Sequence, residues 1–276
     1  MILRALSFSL SQRMFWKGVR SRRSEWNAIA AKDESVIVPV TAISKIKLYT
    51  SSELSSHIYC GAFEWEEREW LMSELKADDV FYDIGANIGL FTLLAAERCR
   101  HVIAFEPTSD TFELLTENVE LNNRPSNITL LNAAASDEDG EQDIYVLING
   151  KDAWNSMAVK PEEGEYRVDK IKTVSVDGLV ETGQIPAPRV IKIDVEGWEL
   201  HVLHGLKQTI AKHKPVMLIE FTEPNLNAAG TSAQELGNYV RSLNYELYSY
   251  DPRYKKLNVV TTFDFGHKNL VAKPKP

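Results

Sequence analysis

Val80-Phe81-Tyr82-Asp83-Ile84-Gly85-Ala86-Asn87-Ile88-Gly89 decides how the rest of the chain is read. A short apolar run, Val80–Tyr82, leads through an acid into two glycines and then into helical periodicity that lasts to about Leu94. Glycine tolerates positive φ and lets backbone approach a ligand closely, so Gly85 and Gly89 mark a tight strand-to-helix turn. The dinucleotide fingerprint G-x-G-x-x-G is absent; the spacing here is G-x-N-x-G, with Asp83 two residues before the first glycine. A helix N-terminus favours anions, and dinucleotide sites place a pyrophosphate there. Asp83 would repel a pyrophosphate, but it suits a cofactor with an ammonium and a sulfonium, such as S-adenosylmethionine. The plainer reading makes Asp83 a helix cap and gives the glycines to packing.

The flanks extend the pattern. Val102–Phe105 reads as the next strand and ends in Glu106, 21 positions beyond Gly85. An acid about 20 residues after such a loop is placed to accept hydrogen bonds from a ribose diol. Phe112, Leu115 and Val119 mark a helix after it. Ile128–Leu131, Val190–Ile193 and Val216–Phe221 read as further buried strands, and Ser232-x-x-Glu235 as a capping box opening a helix. Glu246–Tyr250 and Asn269–Ala272 are expected to close the sheet as an antiparallel pair. Upstream, Ile46–Tyr49 and His57–Tyr59 read as strands and Glu64 to about Leu75 as a helix. Strands alternating with helices imply an α/β fold, a mostly parallel sheet covered on both faces, which binds ligands at the carboxyl ends of its strands.

Val190-Ile191-Lys192-Ile193-Asp194-Val195-Glu196-Gly197 ends another strand with two acids. Three roles stand open for Asp194 and Glu196: binding the donor's amino-acid part, acting as base on an acceptor hydroxyl, or holding a divalent cation. Two carboxylates are a weak metal signal, because oxygen-ligand sites need more donors, and no metal is expected. Residues 137–189 break the strand–helix rhythm. Ile144–Val146 and Ile171–Val176 read as strands, and Lys151–Met157 and Pro161–Glu165 as loops; this insertion is expected to cover the crevice.

Taken together, Asp83–Gly89 and Ile191–Glu199 resemble the FkbM-type family of S-adenosylmethionine-dependent methyltransferases. The similarity runs from about Leu48 to Ala272. It includes Gly61-Ala62-Phe63-Glu64 with Glu67, Asn132-Ala133-Ala134, Asn155-Ser156 and Val174-Ser175-Val176-Asp177. The resemblance implies a Rossmann-like class I fold, a seven-stranded sheet of order 3-2-1-4-5-7-6, and methyl transfer, most often to oxygen. It places Asp83, Gly85, Asn87 and Gly89 along the cofactor's methionine part, Glu106 on the ribose, and Asn132, Ala133 and Ala134 beside the adenine. Asp194 and Glu196 fall near the transferred methyl, with Glu196 the first choice as base and Asp194 orienting the donor. Trp154 is a candidate to stack on a sugar acceptor, Asn155 and Ser156 are candidates for donor or acceptor contact, and His201 and His204 read as packed or surface side chains. An NAD(P)-dependent oxidoreductase and a non-catalytic cofactor-sensing module are the competing readings.

Composition bounds the function. The 276 residues carry 31 Lys+Arg against 39 Asp+Glu, a net charge of −8, with 44% hydrophobic residues. That is globular composition, and it disfavours bulk nucleic-acid binding. The expected partner is a small-molecule or glycan acceptor. Charge is uneven: Arg4, Arg13, Lys17, Arg20, Arg22 and Arg23 stand before the first acid, leaving 25 basic against 39 acidic residues from Glu25 onward. With Leu3, Leu6, Leu10, Phe15 and Trp16 among them, residues 1–24 suit a plain helix, weak membrane-surface contact or organelle targeting. No apolar run approaches the roughly 20 residues of a membrane span. Residues 1–35 form a basic segment outside the similarity, helical or flexible, and 36–276 a single domain. Two cysteines, Cys60 and Cys99, make no disulfide framework, and the cytoplasm is the expected compartment.

Overall fold

The structure is a computed structural model that describes residues 17–147, 157 and 166–276. Helix α1 covers residues 17–30, followed by the ribbon β1 (Ser35–Pro39) and β2 (Lys45–Tyr49). Two helices lead in to the main sheet, α2 (Glu53–Cys60) and α3 (Trp65–Glu74). His57–Tyr59 therefore lies in a helix rather than a strand. Leu54 and Ile58, four apart, are both buried. Ser52 caps the start by accepting from the Ser55 amide, and Gly61 closes the end in the left-handed region.

The main sheet contains β3 (Val80–Ile84), β4 (His101–Phe105), β5 (Ile128–Leu131), β9 (Val190–Ile193), β10 (Val216–Thr222), β11 (Tyr245–Asp251), β12 (Lys256–Val259) and β13 (His267–Pro274). Its order is β12-β11-β13-β10-β9-β3-β4-β5. Without β12 this reads 3-2-1-4-5-7-6, but the sheet has eight strands, not seven. The added strand hairpins back from β11 around Asp251, whose carboxylate accepts from the Arg253 amide. Pairing is parallel from β5 to β10 and antiparallel where β13 joins β10 and β11.

Strand alternation sorts the core. Tyr82, Ile84, Ile103, Phe105, Ile191, Ile193 and Met217 pack in one cluster with α7 (Glu199–Gly205) and α10 (Ala233–Ser242). Phe81, Val102, Val190 and Leu218 face the other side, against Phe91 of α4 (Leu90–Ala96) and Trp70 of α3. Helix α5 (Ser109–Leu121) adds Leu115 and Val119 on that side. The capping box of α10 forms as expected: Ser232 Oγ accepts from the Glu235 amide. Residues 134–175 supply a separate three-stranded sheet, β6 (Ala134–Ser136), β8 (Tyr166–Ser175) and β7 (Gly140–Leu147) in that order. Val176, expected in the strand, opens α6 (Val176–Glu181).

Register decides what meets at the sheet's carboxyl edge. Ile84 pairs with both Phe105 and Ile193, Ile193 with Ile219, and Phe105 with Leu131. The residues one step further along are therefore neighbours: Asn132, Glu106, Gly85, Asp194 and Glu220.

Candidate active site

A cavity of about 630 Å³ opens at this edge, within the size range of cofactor sites. Gly85, Asn87, Glu106, Ala133, Ala134, Asp194 and Glu196 all line it. Ile144 of β7 and Met157 reach it from the insertion, and Glu64 from the corner before α3. Trp154, Asn155 and Ser156 lie outside the described residues.

The glycine turn is pinned from both sides. The Gly85 and Ala86 amides donate to the Phe105 carbonyl at 3.1 and 2.9 Å. Gly85 has φ +82, and a Cβ there would stand 1.8 Å from the Asp194 carbonyl oxygen. Only a residue without a side chain lets the turn after β3 lie against the end of β9. Gly89 serves packing instead: a Cβ on it would meet Leu115 Cδ1 at 2.6 Å, and Gly89 does not line the cavity.

Glu106 closes the opposite side of the turn. Its carboxylate accepts from the Asn87 amide at 3.1 Å and the Thr108 amide at 3.0 Å, one on each oxygen. Burial pushes its pKa up to about 7, opposed by those two amides. Each oxygen accepts one amide, and Glu106 lines the cavity. Asn132 differs from the expectation. Its amide donates to the Glu106 and Pro107 carbonyls, and Ala133 and Ala134 line the cavity in its place.

Asp83 also departs from the sequence reading. It alternates with Tyr82 and Ile84, so its side chain points under α4 and is 0% exposed. Thr92 Oγ1 donates to its Oδ2 at 2.6 Å, and it does not line the cavity. Asp83 pairs in register with Lys192, which shares that face of the sheet. Lys192 is 4% exposed, with Nζ 2.6 Å from Asp194 Oδ2 and 4.8 Å from the centre of the Phe91 ring. Burial disfavours its charge, but Asp194, Glu64 and Asp83 together raise its pKa above the ordinary value. For Asp194, burial acts upward, but the Lys192 ammonium prevails and the pKa falls below the usual range.

Beyond Asp194 the chain turns with Glu196 at φ +53 and Gly197 at φ +104. Glu199 holds this turn: its Oε1 accepts from the Val195 amide at 3.1 Å and the Gly197 amide at 3.2 Å. Glu196 Oε2 accepts from Asn225 Nδ2 at 2.5 Å, which draws α9 (Glu223–Ala228) to the site. Burial raises Glu196 well above the ordinary carboxylate range, reinforced by Glu220, Asp194 and Glu199. Glu220 is bound through Oε1 to Thr222 Oγ1 at 2.9 Å, with His267 Nδ1 at 3.4 Å. Carboxylate oxygens of Asp194, Glu196 and Glu220 lie within 4.8 Å of one another. Among the described residues these three are the set that could bind a cation, with Lys192 already balancing one of them.

Lys192, Glu199 and Glu220 are the functional neighbours that sequence reasoning missed. One signal was available for the first: a lysine inside an otherwise apolar strand must find a partner. His201 and His204 do not line the cavity. His201 stacks on Trp198 with centroids 3.8 Å apart, and His204 meets the Tyr239 ring edge-on.

Comparison with known proteins agrees with this architecture. Residues 83–247 match the model of the Methyltransferase FkbM domain. The chain is 36% identical over 143 residues to the hexuronic acid methyltransferase AglP of Haloferax volcanii, covering 51% of this chain and 55% of that protein. It is 31% identical over 149 residues to Methyltransferase 1 of Beauveria bassiana, covering 47% and 59% respectively. The chain thus spans less than two thirds of either relative's length. Among solved structures it is similar to a methyltransferase FkbM from Methylobacillus flagellatus, with TM-score 0.47 and 18% identity over 79% of this chain and 54% of that one. With more than half of its length matched by the domain model, the chain belongs to the FkbM family of methyltransferases.

Proposed function

We propose that the protein transfers a methyl group from S-adenosylmethionine to a hydroxyl oxygen of a sugar or other small polyhydroxyl compound. The observation that carries this reading is the convergence of Asp194, Glu196 and Glu220 at the carboxyl edge, directly beside the Gly85 turn. S-adenosylmethionine is the methyl donor of this family, and the cavity suits it. Glu106 offers paired oxygens at one strand end. Glu64 and Glu220 each have a buried carboxylate oxygen without a hydrogen-bond partner, a setting made for a cation. The sugar acceptor is supported by the relative that acts on a hexuronic acid. Residues 36–276 act as one catalytic domain on this reading, with Ile144 and Met157 of the insertion at the cavity wall. Helix α1 of the basic segment is not outside it but packs on it, with Trp26 buried alongside Ile46 and Leu48 and Arg22 Nε donating to the Cys60 carbonyl. Cys60 and Cys99 are free and buried, in keeping with a cytoplasmic setting, and no helix among the described residues is long and apolar enough to cross a membrane.

When bound, the cofactor supplies a methyl carbon on a cationic sulfur that leaves as a neutral thioether when that carbon is attacked. The protein's own work is to place the acceptor oxygen in line, exclude water and take the hydroxyl proton. Glu196 takes that proton. Its raised pKa makes its ionised form a stronger base than an ordinary carboxylate, and Asn225 holds its Oε2 at the cavity wall. Asp194, neutralised by Lys192, stays ionised and orients the donor.

Incubation with methyl-labelled cofactor and sugar-containing extracts, followed by mass spectrometry, tests the reaction class; labelled product is expected to carry the methyl as an ether. With the acceptor in hand, Glu196→Gln is expected to lower kcat by about 10²–10⁴-fold and leave affinity for S-adenosylhomocysteine within a few-fold. Because a base works ionised, the wild-type rate should rise with pH on its acid limb, and the variant should lack that limb. Full turnover by Glu196→Gln removes the assignment.

A further inference from the structure

We infer that Glu64 receives the α-ammonium group of the cofactor's methionine part. This rests on the proposal that the cofactor is S-adenosylmethionine, and adds a binding residue from outside the main sheet. The residue expected there from sequence, Asp83, is closed off beneath α4 with one oxygen on Thr92. An ammonium in the cavity must therefore find another carboxylate.

Three other acids on the wall already have partners. Asp194 is held by Lys192, Glu196 by Asn225, and Glu106 by two backbone amides. Glu220 is held through Oε1 by Thr222 and His267; its Oε2 has no hydrogen-bond partner, but it belongs to the cluster with Asp194 and Glu196 at the reacting end. Glu64 lines the cavity, and its Oε2 is buried with no hydrogen-bond partner. It stands in the left-handed region at φ +41, at the corner between Gly61-Ala62-Phe63 and α3. That corner carries the side chain over the edge of the sheet toward Lys192 and Asp194. Glu64 feels the charges of Lys192 and Asp194, and the Gly85 turn lies against the Asp194 carbonyl.

The surrounding charges favour a cation at this point. Lys192 and Arg68 attract the Glu64 carboxylate and would repel an incoming ammonium; Asp194, Glu67 and Glu220 do the reverse. Asp194, Glu67 and Glu220 outnumber Lys192 and Arg68, so the acids prevail. Burial raises Glu64 well above the ordinary carboxylate range, against the pull of Lys192.

The test is a double-mutant cycle by calorimetry on the full chain. Its ligands are S-adenosylhomocysteine and the otherwise identical thioether lacking the α-amino group. In the wild type, removing the amino group is expected to weaken binding about 10- to 100-fold, the range for a charge-assisted hydrogen bond. In Glu64→Gln the two ligands should bind within about three-fold of each other, and binding of the deaminated ligand shows that the variant is folded. Glu64→Asp, which keeps the charge but draws it back, should give an intermediate ratio and serves if the glutamine variant does not fold. Equal discrimination in wild type and variant, or none in the wild type, overturns the assignment. If the wild type binds neither ligand, the cofactor reading itself falls and takes the assignment with it.

Discussion

Gly85→Ala is expected to abolish measurable binding of S-adenosylhomocysteine and to lower folding stability by about 2–5 kcal/mol. Two costs add. At φ +82 any Cβ occupies a backbone region that L-residues avoid, at roughly 1–2 kcal/mol. The new methyl would also stand 1.8 Å from the Asp194 carbonyl oxygen, a backbone atom that no rotamer change can move aside. Overpacking of this kind costs about 1–3 kcal/mol and shifts backbone, here parting β3 from β9 where their ends frame the site. Gly89→Ala is the useful contrast. Its obstacle is the end of the Leu115 side chain, so it should cost stability with a smaller effect on ligand affinity. Urea unfolding and calorimetry on both variants check this; wild-type affinity in Gly85→Ala would refute the close-approach argument.

Lys192→Met is expected to destabilise the protein by about 3–5 kcal/mol, the usual cost of leaving a buried charge without its partner. Lys192 is the cation buried among Asp194, Asp83 and Glu64. The pH dependence gives this prediction its sign. In the wild type Asp194 has a lowered pKa, so its contribution is present above the ordinary carboxylate pKa and is lost as pH falls through the lowered value. Without the ammonium, burial dominates and the Asp194 pKa rises. The variant then carries a penalty at neutral pH that relaxes as Asp194 takes up a proton. The stability gap between the proteins should therefore be wider at pH 7 than near pH 4.5, by denaturant titration at both. A gap independent of pH would mean that repacking around the new side chain, rather than the lost charge pairing with Asp194, sets the destabilisation.

Much of this was legible in the sequence because the signals were local. Short apolar runs ending in Glu106 and Asp194, with a glycine turn between strand and helix, located three strands and the cavity wall. Ser232 and Glu235 located a helix start. His57–Tyr59 misled because three residues cannot distinguish period two from period 3.6, while the Leu54–Ile58 spacing and the Ser52 cap settle it once the neighbours are seen. Asp83 misled for a different reason. Its position in the motif is local, but the face it takes follows from strand alternation, which sends it under α4 with Thr92. The partners of the reacting acids were invisible because register and long-range packing create them. Glu220 reaches Asp194 only because Ile219 pairs with Ile193, and Glu64 arrives from a corner 130 positions earlier in the chain than Asp194. Lys192 was quoted within its strand, yet its role emerges only when Asp83 is seen beside it in register.

Titration of the purified chain with S-adenosylhomocysteine and, separately, with NADH bears most directly on the whole account. A single saturable site for the thioether nucleoside, lost in Gly85→Ala, together with no heat from NADH, is the predicted result. Saturable binding of NADH with none of S-adenosylhomocysteine would contradict it, because a pyrophosphate would then occupy the crevice whose wall is lined by Glu64, Glu106, Asp194, Glu196 and Glu220.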